Sequence, residues 1–213
     1  MRQRIEFTER DRIAVIAPHP DDECLGASGA LIFAPSRTDI FVLTDGSRGS
    51  NVRSYKEESD VRRAQFETEM EYVKPRSYMW LGCEDTKMHL HREVIAQIDF
   101  RPYTLIFLPW TESFHQDHRY AAAFCLDEIR KQGGVEAACY FYEINAPFYK
   151  PTHYIDITDI VEEKRRLIRF HKDQKEQENI VLSLNAFRGA QMLWQPEITY
   201  AEAFLKVGEE EFI

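Results

Sequence analysis

Short apolar segments alternate with helical patterns along the chain, and this alternation constrains the fold more than any other feature. We predict strands at 12–17, 40–43, 77–81, 105–108 and 139–142, where apolar residues run together. The segment at 105–108 is apolar at every position, which is typical of a strand covered on both faces. Strands that alternate with helices form a mostly parallel sheet. The sequence therefore predicts an α/β fold with helices on both faces of a mostly parallel sheet.

Length and composition are those of one ordinary globular domain, which we place at 1–213. A chain of 213 residues is long enough to bury a sizeable core in a single domain. The hydrophobic fraction is 44% and the charged fraction 30%, both usual for globular proteins. The formal net charge of -9, with no block of lysine and arginine, argues against a nucleic-acid partner.

The four cysteines and the hydropathy give expectations about compartment. The cysteines are far apart and form no Cys-x-x-Cys pair, so we expect no disulfide framework. Cys24 has two interpretations, a soft metal ligand or a buried small residue on a helix face. The first residues are polar and lack the apolar centre of a signal peptide, and no apolar run has the length of a membrane span. We expect a cytoplasmic protein without an integral membrane segment.

The sequence Pro-His-Pro-Asp-Asp-Glu follows the first predicted strand, at 18–23. Ligands of open α/β sheets bind beyond the carboxyl ends of the strands, where this segment would lie. His19 and Asp22 are three residues apart, so a short turn can bring both onto one metal ion, and both residue types bind zinc. The alternative is that the segment is only a turn, because proline and aspartate favour turns.

A second polar cluster, His-Gln-Asp-His at 115–118, follows the fourth predicted strand. A catalytic zinc usually has three protein ligands and an open position for water, so a site at His19 and Asp22 needs a third ligand. If the first and fourth strands are neighbours at a switch point of the sheet, the two clusters meet. The two histidines and the aspartate of the second cluster are then candidates for the third metal ligand.

Together the two motifs resemble the signature of the PIG-L/LmbE-like family of zinc-dependent N-acetylglucosaminyl deacetylases. Shorter similarities extend along most of the chain, at 44–49, 156–158, 171–174 and 200–204. The resemblance implies a three-layer Rossmann-like fold. It also implies one zinc ion per chain, held by His19, Asp22 and His118. Fe²⁺ or Co²⁺ could take the same two histidines and one carboxylate.

The resemblance further implies three catalytic residues around that metal. Asp21 would be the general base, which takes a proton from water and returns it to the leaving amine. His115 would stabilise the negative charge that develops on the carbonyl oxygen. Asp117 would orient and charge the ring of His115. Glu23 either supports this site or is only a carboxylate at the start of a helix.

Substrate contacts are expected at the ends of three other strands. Arg48, in the loop after the second strand, and Asp85, after the third, resemble family residues that contact the sugar. Tyr142, at the end of the fifth strand, is either a hydroxyl donor in the site or a core aromatic. We interpret His171, in the similarity at 171–174, as structural.

The reaction implied is hydrolysis of the N-acetyl group of a glucosamine-type sugar or sugar conjugate, a small molecule. One alternative is a zinc amidase that acts on a different amide, such as a thiol conjugate. Another is a non-catalytic sugar- or nucleotide-binding module, although such a module need not keep both Asp21 and Asp22. A nicotinamide-dependent enzyme is disfavoured because no Gly-x-Gly-x-x-Gly follows the first strand.

Overall fold

The computed structural model describes residues 3–172 and 175–209, and within them an eight-stranded sheet organises the chain. Its strands are β1 (Gln3–Arg4), β2 (Ile13–Ala17), β3 (Thr38–Thr44), β4 (Ser77–Cys83), β5 (Leu105–Pro109), β6 (Ala138–Tyr142), β7 (His153–Asp156) and β8 (Ala201–Lys206). The five predicted strands are confirmed as β2 to β6. Residues 173 and 174 belong to the segment 171–174 that resembles the family, and they lie outside the described residues.

The strand order is β1-β7-β8-β6-β5-β2-β3-β4, and most neighbours are parallel. β8 is antiparallel to both β6 and β7. The predicted, mostly parallel sheet is confirmed. No strand was predicted from the sequence at β8, which lies between β7 and β6 in the sheet.

Helices cover both faces of the sheet. They are α1 (Asp22–Gly26), α2 (Ser28–Phe33), α3 (Tyr55–Val73), α4 (Arg92–Ile95), α5 (Gln116–Gln132), α6 (Val161–Ile168) and α7 (Lys175–Ala190). Among the described residues, none of these helices is both long and apolar enough to span a membrane. The longest, α3, begins at a capping box in which Ser54 and Glu57 satisfy each other's backbone N–H groups.

Alternate side chains of β2 enter two different cores. Val15 and Ala17 pack in the core that α1, α2, α3, α6 and α7 cover. Ala14 and Ile16 pack in the core that α4 and α5 cover. A strand buried on both faces must be apolar throughout, which explains why this segment was easy to predict. The predicted three-layer arrangement is confirmed.

The switch point of the sheet lies at β2, which pairs with β3 on one side and β5 on the other. The segment at 18–23 follows β2, and the cluster at 115–118 follows β5. Because the three strands are parallel, their carboxyl ends lie at one edge. The predicted adjacency of the first and fourth predicted strands is confirmed, and it brings the two motifs together.

Candidate metal centre

The turn between β2 and α1 positions the first motif. The Asp22 carboxylate accepts a hydrogen bond from the His19 backbone N–H at 2.8 Å and so closes the turn. Asp21, just before α1, has φ 143°, a conformation that residues other than glycine rarely adopt. The turn therefore places the side chains of His19, Asp21 and Asp22 together in one short segment.

Three candidate ligand atoms converge at the carboxyl end of β2. Asp22 Oδ2 lies 3.2 Å from His19 Nδ1 and 3.2 Å from His118 Nε2. The two imidazole nitrogens are 3.3 Å apart. A tetrahedral zinc ion, bound at roughly 2.0–2.2 Å, holds its ligand atoms about 3.3 Å from one another. The triangle of His19, Asp22 and His118, hereafter the metal cluster, therefore fits zinc.

The charges of the metal cluster also suit a cation. Burial would raise the pKa of Asp22, but His118 and His19 beside it hold that pKa well below its usual range. Burial lowers the pKa of His19, yet its hydrogen bonds to the carboxylates of Asp117, Asp22 and Asp85 raise that pKa well above its ordinary value. The site thus stabilises positive charge at this point, which a bound metal ion supplies.

Two carboxylates lie beside the second ring nitrogen of His19, Nε2. Its Nε2 lies 3.2 Å from Asp85 Oδ1 and 3.4 Å from Asp117 Oδ2. An imidazole that binds a metal commonly donates its second N–H to a carboxylate, which fixes the ring and raises its basicity. Asp85 and Asp117 therefore support His19 as a ligand through Nδ1.

The contacts of Asp117 differ from the prediction that its carboxylate orients the ring of His115. Its carboxylate accepts the backbone N–H groups of Thr86, at 2.7 Å, and Met88, at 3.3 Å, in addition to its contact with His19. His115 Nδ1 instead accepts the backbone N–H of Asp117 at 3.3 Å, as the N-cap of α5. The first helical turn directs the Asp117 carboxylate away from a hydrogen bond with His115 and towards His19.

His115 lies against the metal cluster without belonging to its triangle. Its ring meets that of His19 edge-on, with centroids 4.5 Å apart. Burial, with the positive charges of His19 and His118, lowers the pKa of His115 to about 4. Since Nδ1 accepts a hydrogen bond, the proton of the neutral ring resides on Nε2. His115 is therefore a neutral donor, whereas the sequence predicted a charged ring.

Asp21 faces the same cavity, and Arg62 of α3 holds it. Arg62 forms an ion pair with Asp21, with Nη2 2.9 Å from Oδ2, and donates to the Pro20 carbonyl at 2.7 Å. Burial raises the pKa of Asp21, and the Arg62 charge opposes that effect. Sequence reasoning missed Arg62 because it lies among many charged residues of a surface helix and nothing in its spacing marks it.

A cavity of about 200 Å³ lies above the metal cluster. Besides the metal cluster, it is lined by Asp21, Leu25, Arg48, Gly49, Arg62, Asp85, Thr86, His115, Ile144, Asn145 and Gln177. Loops after five strands, together with α1, α3, α5 and α7, thus contribute to one cavity. Asn145 and Gln177 are further polar groups that sequence reasoning did not identify.

The three predicted substrate residues have different positions. Arg48 lines the cavity, and its guanidinium donates to Tyr55 Oη at 2.8 Å and Glu84 Oε1 at 3.1 Å. Asp85 also lines the cavity, but its Oδ2 accepts the Arg48 backbone N–H at 3.0 Å. Tyr142 lies outside the cavity lining. It is 1% exposed, and its hydroxyl donates to the Ile16 carbonyl at 2.7 Å, so its contacts are those of the core alternative.

Fold and site together define a class of protein, one with an α/β fold and a group of histidine and aspartate residues that could bind a metal at the switch point of the sheet. The family model "PIG-L: GlcNAc-PI de-N-acetylase" matches residues 14–129, and the chain belongs to this family. This match spans β2 to α5 and includes every residue of the metal cluster.

Comparison with known proteins gives similarities over most of the chain. Diacetylchitobiose deacetylase of Thermococcus kodakarensis is 26% identical over 196 residues, covering 79% of this chain and 72% of that protein. The structure of N,N'-diacetylchitobiose deacetylase from Pyrococcus horikoshii superposes with a TM-score of 0.79 and 21% identity, covering 95% of this chain and 86% of that chain.

The same fold also occurs in a different kind of enzyme. A 4-carboxy-2-hydroxymuconate hydratase of Pseudomonas putida superposes with a TM-score of 0.72 at 17% identity, covering 92% of this chain and 96% of that chain. The fold alone therefore does not determine the reaction, and the function must be argued from the site.

Proposed function

We propose that this chain is a zinc-dependent hydrolase that removes the N-acetyl group from an N-acetylglucosamine-type sugar or sugar conjugate. The observation that carries the proposal is the triangle of His19 Nδ1, Asp22 Oδ2 and His118 Nε2, with sides of 3.2–3.3 Å, beside Asp21 and His115 on one cavity. Membership of the PIG-L family and the similarity to a diacetylchitobiose deacetylase support the substrate class.

In this proposal zinc is held by His19, Asp22 and His118, and when bound it lowers the pKa of a water molecule to about 7. Asp21 accepts a proton from the attacking water, which forms a C–O bond to the acetyl carbon. Asp21 then returns that proton to the nitrogen as the C–N bond breaks, and acetate and a free amine result. Burial raises the pKa of Asp21, which favours the return of the proton to the leaving nitrogen.

His115 stabilises the negative charge that develops on the amide oxygen. It is neutral and its Nδ1 is occupied by a backbone N–H, so its Nε2–H is the group available to donate. Because His115 is the N-cap of α5, its ring is fixed in position before the substrate binds. Asp117 and Asp85 act on the other side of the site, where they orient His19.

Arg48 is the candidate sugar contact of the cavity wall. Tyr55 and Glu84 fix its guanidinium, and an arginine carries five N–H donors, so further donors remain for a sugar hydroxyl. The Glu84 carboxylate already balances its charge at 3.1 Å, and Arg62 is paired with Asp21 in the same way. This pairing suits a neutral sugar ring.

Acetate release from a panel of N-acetylated substrates tests the proposal. The panel contains N-acetylglucosamine, diacetylchitobiose, a glycosylated inositol, and N-acetylated thiol conjugates, each with the zinc-loaded protein. We expect release from the sugar substrates and its loss, by about 10²–10⁴-fold, in Asp21→Asn with metal retained. Release from thiol conjugates alone would favour the different amidase. Metal binding without release from any substrate would contradict the deacetylase.

A further inference from the structure

Asp21 has a backbone conformation that its surroundings must hold. At φ 143° a residue with a side chain is strained, and such a conformation persists only where neighbouring groups fix it. Its backbone N–H donates to Glu23 Oε2 at 3.2 Å. On the other side, the Pro20 carbonyl accepts from Arg62 at 2.7 Å. Side chains therefore fix the backbone before and at Asp21.

Glu23 is itself held by side chains from two distant parts of the chain. Its carboxyl group lies within 4.8 Å of that of Glu69 of α3, close enough for the two groups to share a proton. His171, which follows α6, donates from Nε2 to Glu69 Oε2 at 2.8 Å, and the same nitrogen lies 3.6 Å from Glu23 Oε1. We call Glu23, Glu69 and His171 the buried cluster. Each of the three is at most 1% exposed.

The buried cluster lies outside the cavity, since none of its residues is part of the cavity lining. An effect of the cluster on the reaction must therefore pass through a residue that does line the cavity. Glu23 makes that connection through the Asp21 N–H. Among the described residues, neither Glu69 nor His171 has a hydrogen bond to Asp21, so their hydrogen-bonded connection to it passes through Glu23.

Burial raises the pKa of both carboxyl groups of the buried cluster and lowers that of its histidine. Burial raises the pKa of Glu69 to about 8, and burial together with Glu69 raises the pKa of Glu23 well above its usual range. Burial lowers the pKa of His171, which leaves its ring neutral. Two carboxyl groups that share a hydrogen bond carry at least one proton between them, so the negative charge that would attract a metal is reduced.

We propose that Glu69 and His171 are positioning residues that hold Glu23, and that Glu23 fixes the backbone of Asp21 so that its carboxylate faces the cavity. This rests on the general-base role proposed above for Asp21. The arrangement connects α1, α3 and the end of α6, so three separate elements determine the direction of one side chain.

Substitutions at Glu69 separate hydrogen bonding from packing. Glu69→Leu removes every hydrogen bond of that side chain. In Glu69→Gln the amide oxygen can accept from His171 and the amide N–H can donate to Glu23. We expect Glu69→Leu to lower kcat by up to about 100-fold with KM and one bound metal unchanged, since a displacement of about 1 Å can have that effect. Glu69→Gln should keep the wild-type kcat.

Met70→Ala is the matched control. Met70 is the next residue of α3, 2% exposed, and packs in the apolar core. Its truncation should lower the melting temperature without lowering kcat at temperatures where the variant is folded. If Glu69→Leu fails to fold, His171→Phe replaces it, because phenylalanine keeps the ring but donates no hydrogen bond to Glu69. Equal losses of kcat in Met70→Ala and Glu69→Leu at matched stability would overturn the proposal.

A crystal structure of Glu69→Leu gives a readout that does not need activity. We expect φ of Asp21 to leave the neighbourhood of 143° and the Asp21 carboxylate to turn from the cavity. If the wild type releases no acetate, the proposed function fails and this structure alone decides the positioning role. An unchanged Asp21 in the variant overturns it. So does loss of a second metal equivalent from Glu69→Leu, which would make the buried cluster a metal site.

A double substitution tests whether Glu69 acts through Asp21. In the Asp21→Asn background the base is already lost, so adding Glu69→Leu should reduce the remaining kcat no further. Residues that act through one another are strongly non-additive in this way. A full additional loss in the double variant would show that Glu69 acts by another route.

Discussion

Two clusters of histidine and carboxylate side chains lie on either side of Asp21, and their environments differ. The metal cluster has two imidazoles and one carboxylate and borders the cavity. The buried cluster has one imidazole and two carboxyl groups and is closed to solvent. The pKa of Asp22, in the metal cluster, lies well below its usual range, whereas the pKa of Glu69, in the buried cluster, is raised to about 8.

The comparison shows that residue type does not by itself define a metal site. With two imidazoles around it, Asp22 stays ionised, and the three ligand atoms together prefer a cation. With two carboxyl groups beside one imidazole, burial raises the pKa of both Glu23 and Glu69, so protons reduce the negative charge that would attract a cation. The two clusters also differ in solvent access, and a metal ion and a substrate must both reach the site from solvent.

The largest expected effect distinguishes a histidine of each cluster. His118→Ala removes a ligand atom, so the variant should lose its bound metal and its acetate release. His171→Phe removes a hydrogen-bond donor of the buried cluster, so it should keep one metal per chain. Metal analysis after dialysis, with acetate release on the same samples, checks both. Metal loss from His171→Phe with retention in His118→Ala would reverse the assignment of the two clusters.

A smaller effect is expected at His115, which contacts the metal cluster but is not one of the proposed ligands. Removing one hydrogen-bond donor to a developing oxyanion costs about 10²–10³-fold in kcat. We expect that loss in His115→Ala, with metal content at the wild-type level. If the variant instead loses metal in the same analysis, His115 belongs to the ligand set.

Asp117 should affect metal affinity more than chemistry, because its carboxylate contacts His19 and not His115. Removing such a carboxylate partner commonly lowers metal affinity about 10–100-fold. We expect Asp117→Asn to bind zinc more weakly, measured by competition with a chelator, and to recover most of its kcat at saturating zinc. A kcat that stays low at full occupancy would favour the role predicted from sequence.

The last expected effect concerns stability rather than activity and lies in the buried cluster. The pKa of Glu69 is raised from 4.5 to about 8, so between these values the folded protein holds a proton that the unfolded chain has released. Raising the pH through this window therefore destabilises the wild type. Glutamine does not titrate, so the stability of Glu69→Gln relative to wild type should rise from pH 5 to pH 8 and then level off. Chemical denaturation at several pH values measures this difference, and a difference independent of pH would contradict the raised pKa.

The fold was largely predictable from sequence because the central strands are buried on both faces. The apolar run of β5, at 105–108, marks it directly. β8 was missed because it contains Glu202, a buried charge. Lys164, at 2.7 Å, and the Ser28 N–H, at 2.9 Å, neutralise and bind this carboxylate. Those partners are distant in sequence, so no local pattern reveals why a glutamate lies in an interior strand.

The candidate site was predictable where its residues share a turn and less so where tertiary contacts orient them. His19 and Asp22 converge because the turn is short, and His118 joins them because β2 and β5 are neighbours. The direction of the Asp117 carboxylate depends on loop amides at Thr86 and Met88, which sequence spacing does not specify. Arg62 reaches the site only because α3 crosses beside the turn.

Anomalous diffraction from crystals of the zinc-loaded protein tests the contrast between the two clusters most directly. We predict one peak per chain, bound by His19 Nδ1, Asp22 Oδ2 and His118 Nε2 at roughly 2.0–2.2 Å. We predict no peak among Glu23, Glu69 and His171. A peak within the buried cluster, or a metal bound elsewhere with His118 unligated, would contradict the assignment.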